Sequence, residues 1–110
     1  MAPAGPRTYS AEYRTCLAGA NSYTAARADC YSAELARQGA RVSRAYESLL
    51  AARSGDARTE MQRTQAAWIQ LRDSQCQEDP DAGARDILHE GSCRLDMTIR
   101  RAVELEHMAG

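Results

Sequence analysis

Four cysteines, Cys16, Cys30, Cys76 and Cys93, are spread through a chain of 110 residues, and no two of them form a C-x-x-C pair. Structural zinc sites need close pairs that present two ligands from one turn, so this spacing speaks against a metal centre. An even number of dispersed cysteines in one small domain reads as a disulfide framework, and with it an oxidising compartment: the periplasm, the cell envelope or the exterior. Residues 1–7 (MAPAGPR) hold no apolar stretch of the kind a secretory leader needs. The two observations agree if the chain is a mature fragment carrying an added start Met, and that is the reading adopted.

A chain of this length makes one domain with a modest core. Phe is absent and Trp occurs once, so that core must come from Leu, Ile, Val, Met, Ala and Tyr. All 14 basic residues are Arg, the formal net charge is −1, and acids and bases alternate along the chain. No basic face emerges, which argues against nucleic acid as a partner. No apolar run approaches the length of a membrane span.

Hydrophobic spacing predicts helices only, since no segment alternates with period two. A disordered lead-in is expected over residues 1–8, with Pro3, Gly5 and Pro6, and a single helical domain over 9–108. A short helix is predicted from Tyr9 or Ser10 to Leu17, with Gly19 as its stop. A long one is predicted over 24–53, with Tyr31, Leu35, Val42, Tyr46, Leu49 and Leu50 on its apolar face and Gly39 tolerated inside it. Gly55 is expected to take the left-handed turn position and Asp56 to cap the next helix. That helix, over 56–76, aligns Met61, Gln65, Trp68, Ile69, Arg72 and Cys76, and the lone Trp is expected near the centre of the core. An acidic loop over 77–83 precedes a last helix over 86–106, with a break possible at Gly91.

Taken together, several of these residues form a pattern: Tyr13-x-x-Cys16, then Cys30-x-x-x-Glu34-Leu35-x-Arg37-Gln38, then Tyr46-x-x-Leu49. Gln65-x-x-Trp68-Ile69-x-x-Arg72-Asp73-x-x-Cys76 and Cys93-x-x-x-Met97-Thr98-x-x-Arg101-x-x-x-Leu105 follow. The pattern resembles the LprI-like family, the lysozyme-inhibitor N-terminal domain, over about residues 9–106. The segment from Gln65 to Cys76 is its most specific part. The resemblance implies a secreted, periplasmic or lipoprotein-anchored bacterial helical domain whose named activity is lysozyme inhibition. Family members commonly carry an Asp-x-x-Leu-Asn stretch where this chain has Gly39, Val42 and Ser43.

Four cysteines allow three connectivities. Sequential pairing, Cys16 with Cys30 and Cys76 with Cys93, joins adjacent helices and is the expected one, each bridge contributing on the order of 3 kcal/mol. Arg72 and Arg101 each interrupt an apolar helix face and read as partly buried structural cations, with Glu34 the carboxylate expected to pair with one of them. Tyr46 completes the expected core set. His89 and His107 read as surface residues, and a Cys93–His89 nucleophile pair disappears if Cys93 is bridged. No Ser–His–Asp arrangement and no Gly-rich phosphate loop is present, so no catalytic residue, cofactor or metal is assigned.

The acidic group Glu78, Asp79 and Asp81 is the surface feature best suited to a partner, because negative charge steers a protein toward a cationic enzyme such as a lysozyme. The hairpin around Asn21 to Tyr23 is the next surface to consider. The expected molecule is an all-α domain of about four helices, one short and three long, stapled by two disulfides. It is expected to bind protein rather than catalyse. The alternative to lysozyme inhibition is an immunity-type or envelope-stress protein that binds a different secreted enzyme.

Overall fold

A computed structural model describes residues 8–77 and 84–109, the side chains of 84–87 excepted. Four helices follow one another: α1 (Ala11–Ala20), α2 (Thr24–Ala51), α3 (Gly55–Gln75) and α4 (Ala84–Ala109). No strand occurs among the described residues, and both sequential disulfides are present, Cys16–Cys30 and Cys76–Cys93. The lead-in expected over 1–8 lies, apart from Thr8, outside the described residues.

Local chemistry explains where the helices begin and end. Ser10 caps α1, its hydroxyl accepting from the Tyr13 N–H at 3.1 Å. The expected stop at Gly19 is corrected: α1 runs through it to Ala20, and Asn21 takes the positive backbone angle instead (φ 53°). Asn tolerates that conformation better than other residues with a side chain, so Gly19 is free to stay helical. At the next joint Gly55 does adopt the left-handed angle (φ 57°). The cap position of α3 falls on Ser54, and Asp56 lies in the first turn, where a negative charge complements the helix dipole. The last carbonyls of α2 are met by arginines: Arg53 Nη1 donates to Leu49 O at 3.0 Å and Arg58 Nη1 to Leu50 O at 2.8 Å.

No break occurs at Gly91, and α4 is continuous there. The glycine serves packing instead. A Cβ at this position would lie 2.7 Å from Tyr31 Cδ2, closer than real contacts allow, so its absence lets α2 and α4 approach.

The pairing of side chains fixes the topology. Cys16–Cys30 and Ser10–Glu34 make α1 antiparallel to α2, and Cys76–Cys93 with Gln65–Arg101 make α3 antiparallel to α4. Tyr31 meets Gly91 and Arg41 meets Glu106, so α2 and α4 run side by side in the same direction. The Arg41–Glu106 contact is a two-pronged clamp at 2.7 and 2.6 Å.

Two apolar cores share α4. The first joins Tyr13, Ala20, Cys30, Leu95 and Ile99; the second joins Val42, Leu49, Met61, Ala102 and Leu105, with Tyr46 packed against it. The molecule is flat, 48 × 31 × 14 Å. Its thinness follows from α3, which buries only Met61 and Gln65 along its length and leaves Ile69 and Leu71 40% and 49% exposed. Trp68, expected at the core centre, belongs to neither core and is only partly buried. Trp68 shares the stripe of Met61 and Gln65 but lines an open groove beside Gly39, Val42 and Thr98, which leaves its ring part-exposed.

Candidate functional site

The motif residues on α3 and α4 converge. The guanidinium carbons of Arg72 and Arg101 lie 5.2 and 5.9 Å from the centre of the Trp68 ring, within the range of cation–π attraction. Arg101 is buried. Its Nε donates to Gln65 Oε1 at 3.0 Å, its Nη1 donates to Glu104, and its Nη2 is buried without an acceptor. Arg72 is nearer the surface and donates to the neighbouring Asp73 at 3.1 Å, an acid that Arg94 of α4 also holds at 2.5 Å. Burial acts to raise the Asp73 pKa, but the hydrogen bonds and charges of Arg72 and Arg94 outweigh it and bring the carboxyl below its ordinary value.

Beside this cluster lies a groove of about 270 Å³ whose walls include Gly39, Val42, Ser43, Gln65, Trp68 and Thr98. Gly39, Val42 and Ser43 of α2 thus share this groove with Gln65 and Trp68 of α3. On the other side of α3 a second groove, of about 370 Å³, is lined by Met61, Met108, Arg53 and Arg101.

Glu34 is not part of the cluster, and its expected pairing with Arg72 or Arg101 is corrected. The fully buried carboxylate accepts from the Ser10 hydroxyl and backbone N–H, both at 2.6 Å, from Arg37 Nε at 2.6 Å and from Gln38 Nε2 at 3.1 Å. It sits at the start of α1, whereas Arg101 is engaged by Gln65 of α3 and by Glu104 of its own helix. Burial alone raises a carboxyl pKa; here those four hydrogen bonds prevail and hold it at about 2. Tyr13 shows the opposite balance, since burial first, and then the neighbouring Tyr31, push its phenol far above the ordinary value.

All four cysteines are bridged, which removes Cys93 as a nucleophile for His89. Glu78, Asp79 and Asp81 lie outside the described residues. The sequence marks Ser10 as a helix start; its bonds to Glu34 span 24 residues and carry no local signal. At the far end of that hairpin Tyr23 is 73% exposed.

These features define a small, cystine-bridged, all-helical domain with one partly open Trp–Arg cluster. A family model described as lysozyme inhibitor LprI matches residues 16–105, and the chain belongs to that family. It matches no curated protein and no solved structure.

Proposed function

We propose that the protein is a non-covalent inhibitor of a lysozyme-type muramidase, acting in the periplasm, the cell envelope or the exterior by covering the saccharide cleft. The observation that carries this reading is the family match, which takes in both disulfides, the whole of α2 and α3 and the greater part of α4. The bridged cysteines support an oxidising location. No helix of the described residues is long and apolar enough to cross a membrane. The acidic group Glu78, Asp79 and Asp81 supplies steering toward a cationic enzyme, an effect on the rate of encounter.

Lysis of peptidoglycan by lysozymes of several classes, with and without the purified domain, tests the reading. Activity of at least one class should fall as the domain is added, with no dependence on preincubation time. If no lysozyme is inhibited at micromolar concentrations, the activity implied by the family is absent from this member. If the domain neutralises a different secreted enzyme instead, the immunity-type alternative replaces it.

A further inference from the structure

Residues 15–26 (TCLAGANSYTAA) contain no Asp, Glu, Lys, Arg or His, and this is the longest uncharged run in a chain with 26% charged residues. The structure folds that run into one place, the end of the α1–α2 hairpin. Its outermost residues, Asn21, Ser22 and Tyr23, are all exposed, and Tyr23 is 73% exposed, the most of any large apolar side chain described. Around them the exposed residues are small: Ala18, Gly19 and Ala25. The tip is therefore narrow, uncharged and topped by one aromatic ring.

It is also held in place. The Cys16–Cys30 bridge ties the two helices together between one and two turns below the tip. The Tyr23 N–H donates to Ala20 O at 3.1 Å, and Tyr23 O accepts from the Arg27 N–H at 3.0 Å, so the backbone under the ring is fixed on both sides. A Tyr on a fixed backbone loses little freedom on binding and presents a large contact area, which is why such residues anchor interfaces.

Resting on the inhibitor reading above, we infer that this tip is the element that enters the muramidase cleft. Such a cleft binds sugar rings through stacking and many hydrogen bonds, and it holds a pair of carboxyl groups at its floor. An acidic element pushed onto that pair is repelled. The hairpin tip brings no charge, and offers an amide, two hydroxyls and a ring where a saccharide offers acetamido groups, hydroxyls and ring faces. The division of labour is then physical: the acidic group Glu78, Asp79 and Asp81 acts at a distance on encounter, and the uncharged tip makes the contact.

Two variants of the tip, with Trp68→Ala as the comparison, test this in the full chain, each read against a lysozyme that the parent inhibits. Tyr23→Ala removes the exposed ring and should weaken inhibition by at least about 30-fold, the scale of a hot-spot residue. Gly19→Glu adds length and negative charge where a new Cβ meets nothing within 4 Å, and should weaken inhibition at least tenfold with the helical circular dichroism and Tm retained. A chitooligosaccharide that fills the cleft should compete with the parent. The inference is overturned if both variants inhibit as the parent does, or if inhibition survives Tyr23→Ala but is lost in Trp68→Ala, which would move the contact to the α3 groove. Failure of the parent to inhibit any lysozyme is a different result and removes the inhibitor reading itself, and this inference with it.

Discussion

Ser10 and Glu34, 24 positions apart, complete one another: the Ser10 hydroxyl donates to the carboxylate at 2.6 Å while accepting from the Tyr13 N–H at 3.1 Å, so one side chain both caps α1 and fixes it to α2. The backbone N–H of Ser10 adds a second bond to the same carboxylate. This buried charge carries a pH dependence. The Glu34 carboxyl is ionised in both folded and unfolded chains above its ordinary pKa of 4.5, and in the folded chain it stays ionised down to about 2. Its contribution is therefore complete above about pH 4.5 and lost as the pH falls toward 2, amounting to about 3 kcal/mol by linkage. Urea unfolding followed between pH 6 and pH 2 should show that decline. Glu34→Gln should cost about 2–3 kcal/mol at neutral pH and flatten the acid limb, because the amide retains only part of the bonding.

Gly91 should not tolerate a side chain. In Gly91→Ala the new methyl meets the Tyr31 ring, and either the ring leaves Tyr13, whose ring centre is 5.9 Å away, or α4 moves off α2. Overpacking of this kind costs about 1–3 kcal/mol. Thermal unfolding should show a lower Tm for Gly91→Ala, whereas Gly39→Ala, with nothing within 4 Å of its Cβ, should raise it.

The Trp–Arg cluster should divide by burial. Arg101→Lys loses the planar contact to Gln65 from a buried position and should cost about 2 kcal/mol. Arg72→Lys, at a site nearer the solvent with an exposed acid as partner, should change stability by about 0.5 kcal/mol or less. Trp68→Ala should cost about 1–2 kcal/mol, below the ~3–5 kcal/mol typical of a core aromatic. Denaturant midpoints for the three variants rank these effects directly.

Peptide mapping of the non-reduced protein should join Cys16 to Cys30 and Cys76 to Cys93, with no free thiol. Because α3 buries so little, its anchor at Cys76 matters more to it than to the rest of the molecule. Replacing Cys76 and Cys93 together by Ser should speed amide hydrogen exchange across α3 while leaving the Tyr13–Leu95 core protected. Equal loss of protection throughout would show that α3 and the first core unfold as one unit.

The helices, their order and the disulfide pairs were legible in the sequence, because hydrophobic period and cysteine spacing are local properties of the chain. What the period cannot give is depth. It placed Met61, Gln65, Trp68 and Arg72 on one face of α3, but not how far that face stands from α2 and α4, so Trp68 was expected inside and is found at a groove. Nor does it give the level along a neighbouring helix. Glu34 and Arg101 are a buried acid and a buried base, and composition alone matches them, while the hairpin geometry assigns Glu34 to Ser10. The Gly91 contact was hidden for the same reason, since a glycine that breaks a helix and one that lets a ring approach look alike in one dimension.

The two cystines also decide what a peptidase can do to this molecule. Each closes a loop around one interhelical joint, 16–30 around the hairpin tip and 76–93 around the joint between α3 and α4. A single cut inside either loop leaves the pieces covalently joined, so a nicked tip stays attached to the body that presents it. The joint between α2 and α3 has no such cover. A cut after Arg53 would release two fragments, and each would carry away one intact bridge of its own.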